Sequence, residues 1–61
     1  MRDKDRQAEA KLVGTLHRLG EAGPVYEVVS LADEGFVTIC LVESGEMARY
    51  PADEVRNDPP A

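Results

Sequence analysis

The chain has 61 residues, carries a formal net charge of −5, and contains one cysteine and one histidine. An internal disulfide is excluded, and a four-ligand Cys/His zinc site is not expected of one Cys and one His. A chain this short makes one domain at most and buries only about 60% of the surface its unfolded form exposes, so docking on a partner or a second copy is the remaining way to enlarge its core.

The charge is unevenly spread. Residues 1–11 sum to +1 and residues 12–61 to −6. An acidic body repels phosphate, whose binding rests on Lys and Arg, and attracts a basic protein. The one basic stretch is the arm with Arg2, Lys4, Arg6 and Lys11, and Asp3, Asp5 and Glu9 offset most of it. Nucleic acid is therefore not an expected partner. One unpaired cysteine suggests a reducing compartment. The charged start is followed by no apolar signal-peptide core, and no apolar run approaches the roughly 20 residues that span a membrane. The expected location is the cytoplasm, away from membrane.

Residues 1–11 read as a polar arm, either disordered or a short helix capped by Asp5. Residues 12–19 support two readings. Ala8, Leu12, Leu16 and Leu19 fall at helical spacing, with Gly20 and Pro24 as stop signals. Gly14 and Thr15 disfavour a helix, and Val13, Thr15, His17 and Leu19 alternate as a strand does. A strand over about 13–19 is the reading taken. Val25–Leu31 is β-rich by residue type. Simple alternation puts Tyr26 and Val28 on one face and Val25, Val29 and Leu31 on the other. Asp33-Glu34-Gly35 is a tight turn, with Gly35 free to take a positive φ.

Phe36–Val42 is apolar on both faces. Phe36, Thr38, Cys40 and Val42 line one side and Val37, Ile39 and Leu41 the other. Such a strand is expected in the centre of the structure, covered on both sides. The covers are the curling sheet, the N-terminal segment or a second subunit. Glu43-Ser44-Gly45-Glu46 makes the next turn. Met47–Tyr50 is a short last strand, and Pro51 opens a helical turn through Val55, with Asp53 and Glu54 well placed near its start. The expected organisation is an arm over 1–11, a single β domain over 12–56 and a disordered tail over 57–61.

Each candidate chemical group has a plain structural reading. His17 has no nucleophile in sequence reach and reads as a surface or edge-strand residue. Cys40 lies between Ile39 and Leu41, lacks an electropositive setting and reads as a small core hydrophobe. Tyr26, Phe36 and Tyr50 are the only aromatics, and packing of at least two in the core is expected, against the alternative of a cation-binding cage. The glycines form no phosphate-binding fingerprint. No catalytic residue, metal or cofactor is expected. The residues expected to meet a partner are Glu43, Glu46, Tyr50, Asp53 and Glu54.

A tyrosine-bearing strand, Asp33-Glu34-Gly35, a Val/Ile strand, Glu43-Ser44-Gly45-Glu46 and Tyr50-Pro51-Ala52-Asp53-Glu54-Val55 follow in that order. This resembles the meander of SH3-like and Tudor-like small barrels over about residues 13–56. The segments Gly23–Val28, Glu43–Glu46 and Asn57–Pro59 are similar to a family of short bacterial proteins classed as a domain of unknown function. The resemblance implies a mainly β fold, either an SH3-like open barrel or a four-stranded antiparallel meander, with a C-terminal helical turn. It brings no activity. The expected function is a non-enzymatic protein-interaction module that self-associates. The alternative is an acidic inhibitor or antitoxin-like protein that neutralises a basic partner.

Overall fold

The computed structural model describes residues 3–61, with side chains from Gln7 onward. Arg2, and the side chains of Lys4 and Arg6 in the basic arm, lie outside the described residues. Six elements follow in chain order: α1 (Asp3–Ala10), β1 (Leu16–Arg18), β2 (Val25–Leu31), β3 (Phe36–Leu41), β4 (Met47–Pro51) and α2 (Ala52–Asn57). The strands form one antiparallel sheet in the order β1-β2-β3-β4. The fold is the mainly β meander that the apolar runs and their tight turns imply, with short helices at both ends.

Local chemistry explains most boundaries. The β2–β3 and β3–β4 turns use Gly35 at φ 82° and Gly45 at φ 79°, a region costly for residues with a Cβ. Segment 12–19 resolves into a turn and a three-residue strand. The Gly14 amide donates to the Val28 carbonyl at 2.7 Å and the Val28 amide to the Thr15 carbonyl at 3.0 Å, so the chain joins the sheet before β1 begins. Pro51 lies in extended backbone (φ −64°, ψ 134°) as the N-cap of α2, one position earlier than a Pro-led first turn would put it.

The two sheet faces differ sharply. Register and alternation place His17, Tyr26, Val28, Leu31, Val37, Ile39, Leu41, Ala48 and Tyr50 on one face. Tyr26, Val28, Val37 and Ile39 are buried there with Ala52 and Val55 of α2, and Leu12, Leu19, Leu31, Leu41 and Tyr50 pack around them. A bulge between Val28 and Ser30 shifts the register, so Leu31 pairs with Val37. Leu31 therefore joins the core side, which corrects the simple alternation: one extra residue flips all that follows.

The opposite face carries Leu16, Arg18, Val25, Glu27, Phe36, Thr38, Cys40, Val42, Met47 and Arg49. Leu16 is 44% exposed, Val42 55% and Met47 60%. Within the chain, the Phe36–Val42 strand is covered on one side only. Val37 and Ile39 are buried, while Phe36, Thr38 and Cys40 stay half-buried and Val42 exposed. Cys40 belongs to this outer face rather than the core.

The last residues run back against β1. Asn57 closes α2. The Arg18 amide donates to the Pro59 carbonyl at 3.0 Å, and the Ala61 amide donates to the Leu16 carbonyl at 3.1 Å. His17 and Pro60 form an antiparallel bridge. The tail runs along the free side of β1, and α2 spans the way from β4 to it.

Candidate functional site

Two features stand out from the scaffold: a polar cluster around Asp58 and the outer face of the sheet. The cluster is assembled from distant parts of the chain. Tyr26 on β2 and Tyr50 on β4 both point to the core side. α2 returns the chain so that Asp58 meets them. The Tyr26 hydroxyl donates to Asp58 Oδ2 at 2.7 Å, and the Tyr50 hydroxyl donates to the same oxygen at 2.9 Å. The Gly20 amide donates to Oδ1 at 3.3 Å. The tyrosine rings meet edge to face at 5.5 Å, and His17 stacks on Tyr26 at 5.7 Å.

The electrostatics follow from that geometry. Burial would raise the Asp58 carboxyl, but the two hydroxyls, the Gly20 amide and nearby His17 outweigh it and hold it below the usual carboxylate range. Tyr26 is driven far up by burial and then by its bond to Asp58. Tyr50 is pushed up to about 12 by burial, the Asp58 bond and the charges of Asp58 and Glu54. Both hydroxyls stay protonated near neutrality and serve as donors. The Thr15 hydroxyl donates to the Leu12 carbonyl, so its oxygen accepts from His17 Nε2–H at 2.8 Å. His17 Nδ1 is buried and has no hydrogen-bond partner among the described residues. The cluster ties tail, β1, β2, β4 and α2 together.

The outer face has a shallow depression of about 380 Å³, lined by Arg18, Pro24, Val25, Val42 and Glu43. Val25 and Val42 are joined by a backbone bond of 3.0 Å and make its apolar floor. Arg18 and Glu43 stand on either side as exposed, opposite charges. Among the described residues neither has an ion pair. Further along the face Arg49 lies over the Phe36 ring at 4.6 Å and pairs with Asp33. Among the described residues no three His, Cys, Asp or Glu side chains converge to hold a metal ion.

The five residues expected to meet a partner are not gathered in one patch. Glu43 and Glu46 sit exposed at the β3–β4 turn, while Asp53 and Glu54 lie on α2 beyond the other end of β4. Asp53 is paired with Arg56 at 2.7 Å. Tyr50 is half-buried and engaged by Asp58; Glu54 lies near enough to act on both tyrosines. Sequence reading missed Asp58, because its role needs the tail folded back by α2. It also missed Arg18, whose face is set only by pairing with Val25.

Residues 4–61 match a protein family described as a family of unknown function (DUF5397). Among curated proteins the comparison finds no match. No helix among the described residues is long and apolar enough to cross a membrane.

Proposed function

Since the chain belongs to this family of unknown function, which brings no activity with it, we propose from the geometry that it is a non-enzymatic interaction module that self-associates through the outer face of its sheet. The observation that carries this reading is the exposure of Leu16, Val42 and Met47 on one face of a 61-residue domain. These side chains share one sheet face with half-buried Val25, Phe36 and Cys40, and a core this small gains from a second layer. The tail along β1, reached through α2 from β4, supports a small SH3-like open barrel as the scaffold. One free thiol, Cys40, half-buried on the outer face, fits a reducing cytoplasm. Sedimentation equilibrium tests the reading: a concentration-dependent shift from monomer to a defined oligomer is expected, and a monomer at every concentration up to about 1 mM refutes it.

A second reading rests on the four exposed carboxylates Glu43, Glu46, Asp53 and Glu54 and the −6 charge of residues 12–61. It makes the protein an acidic inhibitor of a basic partner. Such binding weakens steeply with salt, because exposed charges are screened beyond about 10 Å at 0.1 M ionic strength. Capture of a basic protein that survives high salt unchanged argues against it.

A further inference from the structure

The tail sits on a place that the rest of the domain builds, and it fills that place only in part. The Leu19 amide donates to the Pro24 carbonyl and the Val28 amide to the Thr15 carbonyl. Odd-numbered residues of this stretch therefore turn their backbone groups to β2, and Leu16 and Arg18 turn theirs outward. Each of the two offers an amide and a carbonyl along the β1 edge. The tail takes one group from each: the Arg18 amide donates to the Pro59 carbonyl, and the Leu16 carbonyl accepts from the Ala61 amide. The Leu16 amide donates nothing to the tail, and Pro59, opposite Arg18, has no amide to offer the Arg18 carbonyl. Beside this half-met edge stands a receptor for one carboxylate. The Tyr26 and Tyr50 hydroxyls and the Gly20 amide come from separate parts of the chain and converge on Asp58. We propose that residues 58–61 are an exchangeable strap, and that the edge and receptor beneath them form a strand-addition site for an extended peptide of a partner protein, with an aspartate in the place of Asp58 and a residue other than proline after it.

In strand addition the main-chain bonds supply affinity and a side-chain site supplies specificity. The proposed peptide repeats both backbone bonds of the strap and adds an amide for the Arg18 carbonyl. Its aspartate replaces Asp58 before the three donors. A peptide without that carboxylate leaves the Tyr26 hydroxyl buried and unmatched, which costs more than the bond itself. The strap is built to lift without unfolding the domain. Asp58 and Pro59 are half-buried and Pro60 and Ala61 exposed, while Ala52 and Val55 of α2 hold the core contacts. Competition from the strap lowers the partner's apparent affinity by the fraction of time the edge is uncovered. A second copy's tail is the poorer occupant, because it brings the same Pro59 and gains nothing over the tail already in place. The site lies on the β1 edge and is independent of whatever covers the outer face.

The test is a nuclear magnetic resonance titration of the isotope-labelled full chain with the acetylated, amidated peptide Arg-Asn-Asp-Ala-Pro-Ala, which copies residues 56–61 with Pro59→Ala. The expected result is movement of the Arg18, Gly20 and Ala61 amide signals together as the strap gives way. The same peptide with asparagine for aspartate should bind about tenfold more weakly. In the chain, Ala61→Pro removes one strap bond at an exposed position and should raise peptide affinity about threefold. Pro59→Ala supplies the missing amide to the strap and should lower it by a similar factor, with circular dichroism confirming that both variants fold. No movement at about 5 mM peptide in either the parent or Ala61→Pro overturns the proposal. So does equal binding of the aspartate and asparagine peptides, or an Ala61→Pro chain that binds no better than the parent, since the tail is then a fixed part of the sheet. If the same signals move when the chain is concentrated without peptide, the occupant is a second copy's tail and the separate partner is ruled out.

Discussion

Replacing Asp58 with Ala should cost the domain a large part of its stability. The carboxylate accepts from Tyr26 at 2.7 Å and Tyr50 at 2.9 Å. A hydrogen bond to a charged group contributes about 1.5–3 kcal/mol, and a buried donor left without a partner costs about 1–3 kcal/mol. Tyr26 is fully buried and cannot turn to water, whereas half-buried Tyr50 can. A net loss of about 3 kcal/mol follows. A domain of this length has roughly 3–9 kcal/mol to lose at the usual stability per residue. Asp58→Asn keeps an acceptor but no charge, and should lose about half as much. The sign with pH is fixed. The folded-state pKa of Asp58 is depressed, so its contribution is present above the unfolded value of about 3.9 and is lost as pH falls through the folded value. Urea unfolding followed by circular dichroism, at pH 7 and at about pH 2.5, reads both effects. Asp58→Ala within about 0.5 kcal/mol of the parent at pH 7 would refute the reasoning. So would a gap between parent and Asp58→Asn that does not narrow in acid.

Three further outcomes are expected. Tyr50, pushed up to about 12, contributes stability that is fully present below its ordinary value of 10 and is lost as pH rises through about 12; ultraviolet titration that finds Tyr50 ionising at its ordinary value, with Tyr50→Phe as reference, contradicts this. Ile39→Val removes one methylene from a position 2% exposed and should cost about 1 kcal/mol; no change in the urea midpoint would place Ile39 outside the packed core. A Cβ on Gly23 would sit 1.7 Å from the Leu19 carbonyl oxygen, so Gly23→Ala should cost about 2 kcal/mol or more by forcing the backbone apart. A thermal midpoint equal to that of the parent disproves that close approach.

The meander was legible because its signals are local. Two runs of Val, Ile, Tyr and Phe, each ended by a turn with glycine, define β2, β3 and their hairpins with little help from the rest of the molecule. Two kinds of feature were not legible. The bulge at Val28–Ser30 carries no residue-type signature, yet it decides that Leu31 faces inward. The Asp58 cluster joins residues 8, 32 and 38 positions apart, and nothing near Asp58-Pro59-Pro60 announces that α2 will bring it back to the sheet. Paired prolines read as a loose end, because they cannot donate to a ladder. Here the tail contributes the Pro59 carbonyl and the Ala61 amide, the groups that the prolines do not remove. The charged residues Glu43, Glu46, Asp53 and Glu54 read as one acidic set along the sequence, and β4 separates them in space.

The tail lying along β1 has a bearing on aggregation. An open sheet has two edges, and each is a template on which another chain can add a strand. At β4 the edge is short and ends in Pro51, which offers no amide. At β1 the tail occupies the Leu16 carbonyl and the Arg18 amide, so the molecule blocks that template with its own chain. Asp58 anchors the blocking segment through the charge that acid removes. Below the folded pKa of Asp58 the anchor weakens and the β1 edge is bared before the Val28–Val37–Val55 core gives way. Acid should therefore turn this protein into a strand-polymerising species ahead of its unfolding, and light scattering set beside circular dichroism during an acid titration would show scattering rise first. Coincident changes would mean that the tail is held by more than Asp58.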